Sequence, residues 1–250
     1  MALSDKLNIL FPISVDESSL VVTPAAVATL PAEHVFNDRR DKFMRVISTT
    51  AIIKFNANEL TLISGVGIGN HNLANGSTVR IRAYDDFSQA GAVTYDSTVI
   101  ILDIDSTMGD LLTQIYYCPF NEVSYKSIQI DISAPGNTQI DIGRIMPGFV
   151  FEPSWNYQWG SKWQWIEENG VSYRVFSFDL NELDNTENDR YEFEKMKATK
   201  QGDLLLCTQP SATGLERLKN TAICKRANDI SRTRHRANTN KHSDKYQEVY

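Results

Sequence analysis

Long apolar runs are missing from this 250-residue chain. No stretch approaches the roughly 18 consecutive apolar residues that a membrane-spanning helix needs, so no transmembrane segment and no membrane insertion are expected. The N-terminus, MALSDKLNILFPISVDESS, holds only the short run NILFPI, which is broken by proline and followed by acid, unlike the h-region of a secretory leader. The expectation is a polypeptide made in, and soluble in, a cytoplasm. Basic excess is also missing: 25 Lys and Arg stand against 31 Asp and Glu, a net charge of −6 that offers no electrostatic footprint for nucleic acid. Cysteine is scarce. Cys118, Cys207 and Cys224 are odd in number, without CxxC spacing or a histidine at metal-ligand intervals, so they read as reduced and buried.

The residues of recognisable chemistry are few as well. Gly65-Val-Gly67-Ile-Gly69 invites comparison with a dinucleotide loop, but Asn70 replaces the third glycine and a strand follows where a helix is needed. His71-Asn72-Leu73 reads instead as a tight connection between strands, with Asn75-Gly76 as the turn. As a base or metal ligand His71 stands alone, because none of the other three histidines lies in a ligand pattern. Asp103 with Asp105, and Asp131 with Asp141, are paired carboxylates that acid–base or glycosidic chemistry could use. In IQIDIS and TQIDIG, however, the isoleucines take one face and put Asp131 and Asp141 on the opposite, solvent face. Asp38, Asp41, Asp85 and Asp86 fall near loops where calcium would find oxygen ligands, but no EF-hand spacing supports it. No enzyme, no cofactor and no metal are expected.

What the chain does have is strands. VISTTAIIKF, ELTLIS, STVRIRAYDD, STVIILDI, SIQIDIS and TQIDIGRI alternate with period two and are punctuated by Gly, Asn, Asp and Ser. With no amphipathic helix between them, they predict an antiparallel β-sandwich or jelly roll over 31–150, preceded by an arm at 1–30. Residues 171–250 read as a smaller α+β unit. Its strands are YRVFSFDL, DLLLCTQP, ERLKNTAICKRANDI and KYQEVY, and its one helix is NELDNTENDRYEFEKMKATKQG, with Thr186 and Asp189 as a capping box and Gly202 as its close. The last thirty residues are locally basic through Lys219, Lys225, Arg226, Arg232, Arg234, Arg236, Lys241 and Lys245. Asp229, Asp244 and Glu248 interrupt them, which fits a solvated hairpin with charged edges as well as an acidic partner.

Between these units, in a connector at 151–170, lie all four tryptophans: Trp155, Trp159, Trp163 and Trp165, with Tyr157 among them. Large amphipathic rings gathered this closely mark contact: packing between domains or subunits, a core role within one domain, or stacking against a ligand. Their place on a connector makes Trp155, Tyr157, Trp159, Trp163 and Trp165 candidate interface residues.

Five passages, in order, carry a resemblance: PAEHVFNDRR, GVGIGNHNLANGSTVRIRAYDD, IDIGRIMPGFVFEPSWNYQWG, YRVFSFDLNELDNTENDRYEFEK and GDLLLCTQP. Together they resemble tail-tip, distal-tail virion proteins of long-tailed bacteriophages, over roughly residues 30 to 250. The resemblance implies a galactose-binding-like jelly roll followed by an α+β oligomerisation unit. It also implies a structural role: a ring, six-fold by analogy with tail tubes, that contacts the tube, the hub and the receptor-binding protein within the virion tail. The crowded tryptophans and the basic tail depart from that pattern. The competing reading is a carbohydrate-binding module for a host-surface glycan, whose aromatic candidates in the sandwich are Phe87, Tyr95, Tyr116, Tyr117 and Phe120. Light scattering across a concentration series tests assembly through the connector: the wild-type chain is expected to oligomerise, and the Trp155→Ala/Trp159→Ala variant to lose that mass.

Overall fold

The computed structural model describes residues 6–37, 42–102, 115–153, 162–168, 171–183, 186, 191, 203–209, 211, 220–226, 231–236 and 239–248. The protein is mainly β and antiparallel, and the chain separates into two compact units, one of residues 13–149 and one of residues 1–12 with 150–250. Residues 13–30, read from the sequence as part of an arm, thus belong to the first unit, and residues 1–12 to the second.

In the 13–149 unit, two long strands organise the rest. β4 (Thr50–His71) and β8 (Ile115–Ser133) pair along most of their length, interrupted where residues 57–60 bulge out of β4. On one half of this pair, β2 (Val15–Thr23) joins β4, and β5 (Thr78–Tyr84) joins β8, with the short edge strands β6 (Val93–Asp96) and β7 (Ile100–Ile101) beyond it. On the other half, β9 (Ile140–Phe151) pairs with β4 and carries β3 (Met44–Val46) on its far side.

Alternation sets what each strand buries. Across β4, β8 and β5, the rows Ala51–Ile132–Val79, Ile53–Ile130–Ile81 and Phe55–Ile128–Ala83 point inward and are buried. They share one core with Val66, Ile68, Ile140, Ile142, Ile145, Met44 and Val46 of the other half, which is the packing of a sandwich. The rows between them take the other face and are polar apart from Ile52: Ile52–Asp131–Arg80 and Lys54–Gln129–Arg82. Gly65, Gly67 and Gly69 lie in β4 between β8 and β9, so this stretch is sheet rather than a phosphate loop. Asn75-Gly76 forms the expected turn, and Gly76 takes the positive φ of 79° that glycine adopts without strain. Tyr116-Tyr117-Cys118-Pro119-Phe120, which reads as an edge leading into a turn, continues as strand β8.

In the second unit, β1 (Asn8–Pro12) pairs with β12 (Asp203–Cys207), which pairs in turn with β13 (Thr221–Arg226). β15 (Thr239–Glu248) then links β13 to β11 (Val171–Leu183) and carries β14 (Ser231–Arg236) alongside. β10 (Lys162–Glu168) pairs with β11 and, among the described residues of this unit, with no other strand. After Asn8 and Asp203, the runs ILFP and LLLC are continuously apolar because both strands are buried along their whole length. Phe11 and Phe151 pack on Tyr191, with ring centroids 5.8 and 4.9 Å away, in edge-on and tilted contacts that favour the ring quadrupoles. Thr186 and Tyr191 are helical, and the remainder of the expected helix lies outside the described residues, as do Trp155, Tyr157 and Trp159. Trp163 and Trp165 stand on strand β10. The three cysteines are buried thiols that form no disulfide, as their spacing predicts. No helix among the described residues is long and apolar enough to cross a membrane.

Ile130 sits at the centre of three strands, so Ile130→Ala is expected to cost about 2–5 kcal/mol through lost transfer energy and an unfilled cavity. Urea unfolding of the 13–149 unit would read this as a lower midpoint at unchanged slope.

Candidate functional site

Among the described residues of the 13–149 unit, polar groups converge on the outer side of β3, β9 and the end of β4. β3 and β9 pair Arg45 with Asp141, and their side chains meet in a bidentate contact, Nε to Oδ1 at 2.7 Å and Nη2 to Oδ2 at 2.8 Å. Gln139 Nε2 donates to the same carboxylate at 3.1 Å. The Asp141 hydrogen bond, opposed by some burial and helped by the carboxylate charge, raises the Arg45 pKa further above its already high value. The Arg45 guanidinium also lies over the ring of Phe43, 5.2 Å from its centroid, which adds a cation–π contact to the ion pair. His34 Nδ1 donates to the Phe43 carbonyl at 3.0 Å and anchors the backbone that carries that ring.

Two asparagines tie the adjoining loop to the same place. Asn72 accepts from the Asp141 backbone N–H at 2.9 Å and donates to the Gln139 carbonyl at 3.1 Å, while Asn137 accepts from Ala74 N–H and donates to the Asn72 carbonyl. The NHNL segment is thus held by side-chain amides substituting for a ladder, which is why asparagine serves there.

Alternation slips at Asn70. Ile68 and His71 are both buried although two residues separate them, and Ile142 and Ile145 repeat the slip on β9. Asn70 absorbs it with φ of 54°, a left-handed conformation that asparagine tolerates better than most side chains. Gly143 makes the room: a Cβ there would stand 2.6 Å from the Asn70 Cβ. His71 consequently points inward and is buried, with Nδ1 accepting the Leu73 N–H at 3.3 Å. Burial lowers its pKa to about 4, against a smaller opposing backbone hydrogen bond. It is a neutral structural imidazole, not a base facing a ligand.

The remaining sequence candidates divide clearly. Asp131 faces outward as expected, but it is engaged by Arg82 Nη2 and Gln129 Nε2, while Arg80 makes a second bidentate pair with Asp96. Asp131 and Asp141 belong to separate pairs rather than to one carboxylate dyad. Asp103, Asp105, Asp38 and Asp41 lie outside the described residues. The Asp86 carboxylate accepts the Ser88 hydroxyl at 2.9 Å and closes its own loop. Among the described residues no group of three or more His, Cys, Asp or Glu could hold a metal. Of the aromatic candidates, Tyr116 and Tyr117 are buried, and Tyr95 stacks on Phe120 with centroids 3.9 Å apart. Phe87 is 49% exposed, with Lys126 Nζ 5.6 Å from its centroid. Phe43 was missed because nothing in NDRRDKFMRV signals that Arg45 will face a carboxylate 96 residues away.

Neither a protein-family model nor a curated protein matches the chain. Among solved structures it is similar to the family 32 carbohydrate-binding module of AlyQ in complex with 4,5-unsaturated mannuronic acid, at 13% identity and TM-score 0.40, covering 54% of this chain and 96% of that one. It is similar to the family 32 module of C. perfringens NanJ in complex with galactose, at 10% identity and TM-score 0.41, covering 56% and 98%. A third is a chain from the complex of reduced XRCC1 with the DNA pol beta catalytic domain, at 14% identity and TM-score 0.42, covering 55% and 98%. The first two neighbours are galactose-binding-like jelly rolls. At this degree of similarity none of the three transfers a ligand or an activity.

Burial of His71 has a consequence for acid stability. An imidazole titrating near 6.5 when unfolded and about 4 when folded leaves stability intact above pH 6.5 and removes it as the pH falls toward 4. The loss reaches at most about 3 kcal/mol. Denaturant unfolding between pH 7 and 4 is expected to show it, and His71→Gln to flatten that part of the profile.

Proposed function

We propose that the 13–149 unit is a noncatalytic binding module that takes a saccharide on the platform around Arg45 and Asp141. The observation that carries this is the bidentate Arg45–Asp141 pair, seated on the Phe43 ring and flanked by Gln139 and Asn72 on an outer sheet face. A sugar needs donors and acceptors in fixed directions to read its hydroxyls. Arg45 keeps N–H groups beyond the two that it gives to Asp141, and the pairing locks both side chains so that ordering them on binding costs little. Among the described residues no nucleophile–base pair accompanies the platform: His34 is engaged by the Phe43 carbonyl through Nδ1, and His71 points into the core. Recognition, rather than turnover, is the chemistry on offer.

A second reading keeps the protein in a phage tail, as a subunit of a ring built by the second unit. It rests on the sequence resemblance and on β10, an edge strand carrying Trp163 and Trp165 whose unpaired side is open to another chain among the described residues of its unit. The two readings are compatible, because a tail protein could hold its host through such a module.

Binding of the full chain to an array of neutral and acidic glycans tests the module. Retention of a defined glycan, weakened about tenfold or more by Arg45→Ala and by Asp141→Asn, is the expected result. Failure to retain any glycan, or binding by Arg45→Ala equal to wild type, would remove the platform as the site.

A further inference from the structure

We infer that Asn70 selects the ligand of this platform, reading two adjacent hydroxyls of an uncharged sugar through its side-chain amide; the inference rests on the saccharide reading above.

The polar groups around Asn70 are already committed within the fold. Asn72 uses both ends of its amide, Asn137 uses both ends of its own, and the Asp141 carboxylate takes Arg45 twice and Gln139 once. Asn70 is half-exposed, and its amide makes no hydrogen bond to any described residue. Its position is nonetheless a costly one to maintain: φ is 54°, the strand alternation slips there, and the pairing strand must supply Gly143 because a Cβ would collide. Glycine at position 70 would meet the same backbone demand without strain, so backbone geometry alone does not call for a side chain. What asparagine adds is one carbonyl acceptor and two N–H donors opposite Gly143, which lies two residues along β9 from Asp141.

That pattern fits a particular ligand chemistry. Each hydroxyl of a vicinal pair both donates and accepts, so one hydroxyl can give its proton to Oδ1 while its neighbour accepts from Nδ2. A single hydroxyl satisfies only half of the amide, and a site built to bond a hydroxyl rejects the analogue that lacks it. Charge narrows the class further. Arg45 and Asp141 form a neutral pair, so a ligand carboxylate would gain no uncompensated cation there and would meet the Asp141 charge.

The test uses the full chain and two substitutions, Asn70→Gly, which suits the positive φ, and Asn70→Asp, which tolerates it and removes the donor. Methyl galactoside, methyl mannoside, methyl glucoside and galacturonate are titrated by calorimetry, and the Asn70 side-chain N–H resonances are followed by NMR. At least one neutral glycoside is expected to bind, to shift those resonances, and to bind about tenfold or more weakly to both variants, while Asn70→Gly keeps or raises thermal stability. Wild-type affinity in Asn70→Gly, with binding still lost in Arg45→Ala, would overturn the role of Asn70 and leave the module standing. Equal or tighter binding of galacturonate would overturn the preference for an uncharged sugar. Binding of galacturonate and of no neutral glycoside would overturn this inference and leave the module standing, and no binding of any of the four ligands to the wild-type chain would overturn both.

Discussion

The register of β8 against β4 and β5 is the constraint on which the sandwich depends. With the strands paired as they are, Ile128, Ile130 and Ile132 stack between inward-facing residues on both neighbours, and Gln129 and Asp131 fall between outward-facing ones. A slip of one residue would exchange the two sets, burying a carboxylate and an amide while setting three isoleucines in water. Each term is worth kilocalories, and all have the same sign. The polar rows on the outer face therefore find their cross-strand partners, Arg82 with Asp131 and Arg80 with Asp96, as a consequence of the apolar rows on the inner one. These pairs are partly exposed and contribute modestly to stability, so they refine a register set by burial.

One of the places where the alternation breaks is at Asn70, which turns left-handed against Gly143, and the candidate site lies beside it. Residues 63–69 and 142–149 are buried on both faces, but Val66, Ile68 and Ile145 join the common core from one phase of their strands, and Leu73, Ile140 and Ile142 from the other. The phase change turns Asn72 and Asp141 outward next to Arg45, and it turns His71 inward, where the Leu73 N–H occupies its Nδ1. One local device, a left-handed asparagine against a glycine, thus accounts for a buried neutral histidine and an exposed polar platform on adjoining residues.

Much of this was legible beforehand, and the rest was hidden for identifiable reasons. The outward direction of Asp131 and Asp141 could be read from IQIDIS and TQIDIG because period two is a property of the strand itself. The turn at Asn75-Gly76, the burial of the cysteines and the failure of GVGIG as a phosphate loop followed from local chemistry in the same way. Arg45 as the partner of Asp141 did not, and neither did Phe43 beneath it, because that contact depends on β3 docking at the edge of β9. β10 and β14 escaped notice as strands: KWQWIEE was read as a connector on account of its tryptophans, and SRTRHR as part of a charged hairpin.

By itself, then, the sequence determined the mainly antiparallel β character, the inward and outward faces of each strand and the absence of signals for common catalytic centres. All of these follow from side-chain chemistry at separations of a few residues. The tertiary structure alone decided which outward residues become neighbours, where the alternation breaks, and that residues 1–12 join the unit of 150–250 rather than the sandwich that follows them. Those outcomes depend on pairings between distant segments, 96 residues apart for Arg45 and Asp141 and 199 for Asn8 and Cys207. Chain entropy opposes such pairings and only the summed burial of whole strands selects among them, so no local pattern in the sequence records them.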